Sequence, residues 1–155
     1  MGVATYVQGY KKNEDCISGK IQSIGWFEVN KNKIQDHKIE NSFMVFHEEL
    51  HSLMYIMRYE VPYDLGFYDL RNLTFYYHIV DYITGNGYCQ INNEPHEVMF
   101  DGKNVLEALS SIYNVFDRLP LDEEIKTSEK EILKELIEIL TIISNNDGIV
   151  SFTLG

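Results

Sequence analysis

An apolar stripe near the end of the chain constrains its fold most. Ile132, Leu133, Leu136, Ile137, Leu140 and Ile143 recur at spacings of three and four. On a helix those spacings fall along one face. Ser128 with Glu131 fits a capping box, and Asp147-Gly148 supplies a stop. The expectation is a helix over 128–144. A stripe of that length has to be covered by a second layer. The short apolar run at 149–153 reads as a closing strand. A similar stripe precedes it: Val105, Leu109, Ile112, Phe116 and Leu119, with Asn104 and Glu107 placed as a capping box and Pro120 as the end.

The first half carries weaker signals. Val3, Thr5 and Val7 alternate with Ala4 and Tyr6, which predicts a strand. Residues 20–29, with Trp26-Phe27, predict a second strand as its neighbour, beyond a loop at Asn13-Glu14-Asp15 and Ser18-Gly19. Asn30 to Lys33 reads as a turn. Phe43, Phe46, Leu50, Leu53 and Met57 fit one helix over 42–58, capped by Asn41 or Ser42 and bounded by Pro62. Phe43-Met44-Val45-Phe46 also fits a short buried strand. Residues 61–72 read as a loop, and 73–84 fit strand and helix equally. Residues 88–91 and 96–100 fit a hairpin through Asn92-Asn93-Glu94-Pro95. The whole is an expected single α+β domain over 1–155: a mainly antiparallel sheet, one helix in the first half and two helices near the C-terminus. Its 155 residues suffice for a real core.

Charge narrows the function classes. The chain has 24 acids against 13 bases, a net −11. Residues 1–39 hold six bases and four acids, whereas residues 40–155 hold seven bases and 20 acids. A field of that sign repels phosphates and attracts a basic partner, so nucleic acid is not an expected ligand. No apolar run approaches a membrane span. Residues 1–15 lack a basic start followed by an apolar stretch. The expected setting is cytoplasmic, where Cys16 and Cys89, far apart and in no metal spacing, would be thiols.

One motif points to chemistry. His47-Glu48-Glu49-Leu50-His51 matches H-E-x-x-H, in which two histidines one helical turn apart bind zinc and the glutamate activates water. Its interior argues against that use. Glu49 and Leu50 stand where a zinc helix carries an apolar and a small residue, and Arg58 on the same flank would oppose a cation. A third ligand has to come from His78, His96 or Glu60, none in a recognised spacing. No phosphate loop and no G-x-S-x-G accompanies it. The chain is therefore expected to be no enzyme and to carry no cofactor. A small zinc hydrolase using His47, Glu48 and His51 is the alternative.

Seven of the eleven tyrosines fall between residues 55 and 82, interleaved with Glu60, Asp64, Asp69 and Asp81. Tyrosine gives contact area at low entropic cost, and flanking carboxylates meet lysine and arginine. Tyr63, Asp64, Tyr68 and Asp69, in the expected loop, are the candidate partner-binding residues, with Asp81, Glu94 and Glu97 beside them. The carboxylates Asp122, Glu123, Glu124, Glu129, Glu131, Glu135 and Glu138 fit the solvated side of a helix. They also fit the row that a phage-encoded nucleic-acid mimic would present.

The last third, with a helix ending in Phe116-Asp117-Arg118-Leu119-Pro120, a charged helix from Ser128 and a closing strand at Ile149-Val150-Ser151-Phe152, resembles the immunity proteins of bacterial polymorphic toxin and contact-dependent growth inhibition systems. The resemblance implies a small acidic inhibitor that plugs a basic toxin domain, such as a nuclease. It transfers no functional residue position by position.

Overall fold

The computed structural model describes residues 4–21, 26–59 and 95–154; of Lys20, Ile21, Met57, Arg58, Tyr59 and Val115 it describes the backbone alone. The chain is α+β. Among the described residues, six strands form one antiparallel sheet: β1 (Thr5–Lys11), β2 (Ile17–Ile21), β3 (Trp26–Asn30), β4 (Lys38–Phe46), β5 (His96–Asp101) and β6 (Gly148–Leu154). Their order across the sheet is β2-β3-β5-β6-β1-β4. Three helices are described: α1 (Glu48–Tyr59), α2 (Gly102–Val115) and α3 (Glu123–Asn145). One lies in the first half and two near the C-terminus, as the periodicities predict.

Strand alternation sorts the sheet into two faces. Val150 and Phe152 of β6, Val98 and Phe100 of β5 and Val7 of β1 meet Leu50 and Leu53 of α1, Leu109 and Ile112 of α2, and Leu136, Leu140 and Ile143 of α3. The opposite face carries a smaller cluster: Tyr10, Phe27, Val29, Met99 and Ile149, with Cys16 and with Ile34 from a 3-10 turn at Lys33–His37. Cys16 is a buried free thiol. Cys89 and the segments 61–72, 73–84 and 88–91 lie outside the described residues, and with them the first arm of the expected hairpin.

Two glycines make room for α3. A Cβ at Gly9 would run into the Ile143 side chain, and one at Gly102 would stand 2.7 Å from Ile143 Cγ2. β1 and the start of α2 can therefore approach α3 closely only without a side chain at these positions.

Several expectations are corrected. Residues 20–29 are not one strand: β2 and β3 pair as a hairpin, and Ser18-Gly19 belong to β2 rather than to a loop. The first strand does not neighbour them. β1 lies between β6 and β4, because the chain-closing strand fills the place beside it. The helix expected over 42–58 is a strand followed by a shorter helix. Asn41 and Ser42 lie inside β4 and cap nothing; Asn41 takes a left-handed φ of 61° beside the irregularity in the β1–β4 register. The long helix begins at Glu123, five residues before Ser128. Its N-cap is Asp122, and the Ser128 hydroxyl donates to the Ile125 carbonyl instead. α2 starts after Asp101, so Asn104 and Glu107 form no capping box. The stop at residue 147 holds, but Asp147 and not Gly148 takes the left-handed conformation, with φ of 49°. Gly148 is needed because a Cβ there would meet Ile39 and the Tyr10 carbonyl.

Candidate functional site

The histidine motif straddles a junction. β4 ends at Phe46, and α1 begins at Glu48. His47 therefore precedes the helix that the motif needs both histidines to share, and its side chain is exposed. Its carbonyl accepts from the Leu50 N–H, and its N–H donates to Glu49 Oε1 at 3.4 Å. Glu49 thus serves the helix start, where a carboxylate suits the positive end of the dipole. His51 is half-buried with Nε2 3.3 Å from Thr5 Oγ1. His96 Nδ1 lies 3.2 Å from Glu28 Oε1 on β3. His78 and Glu60 lie outside the described residues. Among those described, no three His, Cys, Asp or Glu side chains converge as metal ligands.

Tyr63, Asp64, Tyr68, Asp69, Asp81 and Glu94 also lie outside the described residues. Glu97 is the one member of that candidate set that is described. It projects from β5 on the face away from the helices. Its Oε1 accepts from the Ser151 hydroxyl at 2.6 Å and from Thr153 Oγ1 at 3.4 Å, so neighbouring β6 holds the carboxylate in place. Its charge also reaches Tyr10 on that face. Burial pushes the Tyr10 hydroxyl pKa up, the Gln35 amide opposes by hydrogen bonding, and the Glu97 charge adds to the rise.

α3 displays the carboxylate row. Glu124, Glu131 and Glu138 are all exposed and seven residues apart, so they recur along one side of the helix roughly every 10.5 Å. Asp122 and Glu123 are exposed at its start, and Glu135 is half-buried. The nearby bases are partly neutralised: Lys130 pairs with Asp117 at 2.9 Å and Lys126 with Glu123 at 3.5 Å. Lys134 is flanked one turn away on each side by Glu131 and Glu138. Glu129 does not belong to this row. It is half-buried, and among the described residues its Oε2 has no hydrogen-bond partner. Burial raises its carboxyl pKa, and the like charge of Glu49 raises it further.

Sequence reasoning missed an exposed aromatic pair. Tyr6 and Phe43 stack with ring centroids 6.4 Å apart and planes at 24°. Phe43 is 56% exposed and Tyr6 40%. The expected helix put Phe43 and Phe46 together on a buried stripe, since residues three apart share a helix face. In a strand they point to opposite faces. Phe46 enters the core, 1% exposed, and Phe43 leaves it. The strand alternative at 43–46, combined with this parity, was the signal for the pair.

No helix among the described residues is long and apolar enough to cross a membrane. Compared with models of protein families, with curated proteins and with solved structures, the chain finds no match.

Proposed function

We propose that this chain is an immunity-type inhibitor: a non-catalytic, cytoplasmic protein that binds a basic toxin domain, such as a nuclease, through its acidic surface. The observation that carries the reading is the row of exposed carboxylates at Glu124, Glu131 and Glu138 on a chain with net charge −11. A surface with an excess of one sign raises the encounter rate with an opposite field and suppresses partners of like sign. The tyrosine-bearing stretch with Tyr63, Asp64, Tyr68 and Asp69 supplies the remaining contact in this reading, with Asp81, Glu94 and Glu97 flanking it.

The test begins with the gene immediately upstream. A basic toxin domain encoded there is expected to co-purify with this chain and to be neutralised by it in cells. Association should be fast and slow steeply with salt. Reversing Asp64 and Asp69 together to lysine should slow association and weaken protection. If that pair has no effect, reversal of Glu131, Glu135 and Glu138 tests the helical surface. Absence of binding and of protection overturns the reading.

A further inference from the structure

Among the described residues, the face of the sheet away from the helices is covered unevenly. The 3-10 turn at Lys33–His37 seats Ile34 over Phe27, Val29 and Met99, closing one end. The other end presents Phe43 and Tyr6 to solvent. Register places a continuous strip there. Phe43 of β4 pairs with Gln8, and Tyr6 of β1 pairs with Val45 on one side and Thr153 of β6 on the other. Thr153 in turn bonds Glu97 of β5. Aromatic faces at one end and a fixed carboxylate at the other therefore lie on one surface. Tyr6 and Glu97 stand two strands apart, about 9.5 Å at the usual spacing.

We propose that this strip is a docking site for an arginine-bearing extended segment of a basic partner protein. Guanidinium is flat and weakly hydrated, so it stacks on aromatic rings and also forks onto a carboxylate. An ammonium does the first less well and cannot do the second. Glu97 suits that role because Ser151 and Thr153 hold the carboxylate through Oε1, so the N–H fork of a guanidinium converges on Oε2. Extended chain sets alternate side chains about 6.6 Å apart on one side, so side chains two and four residues apart reach from the ring pair to Glu97. The net charge of −11 favours a basic occupant over an acidic or neutral one. The proposal rests on reading the chain as a binder of basic partners, and adds the surface and the residue type it selects.

The test compares nona-arginine with nona-lysine, labelled at one end, by fluorescence anisotropy at fixed ionic strength. The arginine peptide should bind more tightly. Phe43→Ala should weaken it by roughly three-fold, the scale of an exposed cation–π contact, and remove most of the preference. Phe43→Trp should keep the preference, and Glu97→Gln should reduce it. Tyr55→Ala, at an exposed tyrosine on α1, should leave it unchanged. Glu131→Lys with Glu138→Lys should weaken both peptides alike and preserve it. Circular dichroism of each variant confirms the fold. Equal binding of the two peptides, or a preference that survives Phe43→Ala, overturns the strip while leaving the acidic-surface reading intact. A preference that depends on Phe43 in a chain that fails to bind the neighbouring toxin supports the strip and removes the toxin reading.

Discussion

Leu136→Ala measures how far α3 is integrated into the fold. Leu136 has no exposed surface and belongs to the main core cluster. Three carbons, the γ-methine and two δ-methyls, disappear on truncation, and at about 0.8 kcal/mol each the transfer loss is roughly 2.4 kcal/mol. The neighbours Leu133, Leu140 and Ile143, all fully buried, cannot close the void completely. The residual cavity brings the expected cost to roughly 3–4 kcal/mol, inside the ~2–5 kcal/mol range for buried Leu→Ala changes. In a domain of this size that lowers the melting temperature by roughly 6–15 °C. Urea unfolding should show a lower midpoint with an unchanged slope. Ile137→Ala, at the half-buried next position, should cost roughly half as much. A loss for Leu136→Ala below about 1 kcal/mol, or one smaller than that of Ile137→Ala, would refute this packing.

Three further outcomes are expected. Gly9→Ala should destabilise by roughly 1–3 kcal/mol, because its Cβ collides with Ile143 and Ser42; an unchanged unfolding midpoint shows that the strand and α3 are not in close contact. Glu129 has a raised carboxyl pKa in the folded chain, so folding takes up protons between the ordinary carboxyl value and the raised one. Stability therefore falls as pH rises through that window, and the penalty is complete above it; Glu129→Gln should raise the unfolding midpoint at pH 7 and lose that advantage below about pH 4. Elemental analysis of the purified chain should find no stoichiometric zinc, since His51 is engaged by Thr5 and His47 precedes the helix; about one zinc per chain, lost in His47→Ala, reverses that conclusion.

What the sequence disclosed follows from which signals are local. The interior of α3 was legible because Leu133, Leu136, Leu140 and Ile143 all face one core, so the period survives over three turns. Its first turn was not. Glu123 and Glu124 are exposed there, and a helix start held by favourable charge at its positive end leaves no apolar period to detect. The order of strands was also hidden. β6, the last strand, inserts between β5 and β1, and long-range pairing of that kind leaves no mark in the neighbouring residues. The left-handed conformations at Asn41 and Asp147 fall on residue types that tolerate them, but aspartate and asparagine are too common for the type alone to locate them.

The same distinction governs the candidate surface. The sign of the field was readable from composition, because counting charges needs no geometry. Its aromatic counterpart was not, because a single parity decides it. Phe43 and Phe46 are equivalent on a helix and opposite on a strand, and the two readings of residues 42–46 differ by which aromatic the core receives. Once β4 is a strand, Phe46 closes the helix-facing core and Phe43 must face outward beside Tyr6. Parity on β5 then sends Val98 and Phe100 inward and Glu97 outward onto that same face. The ring pair and the carboxylate come from three separate strands, β1, β4 and β5, and they share a surface because β6 and β1 bridge them. An interface of this kind is a property of the sheet order, and the sheet order is what a local period cannot show.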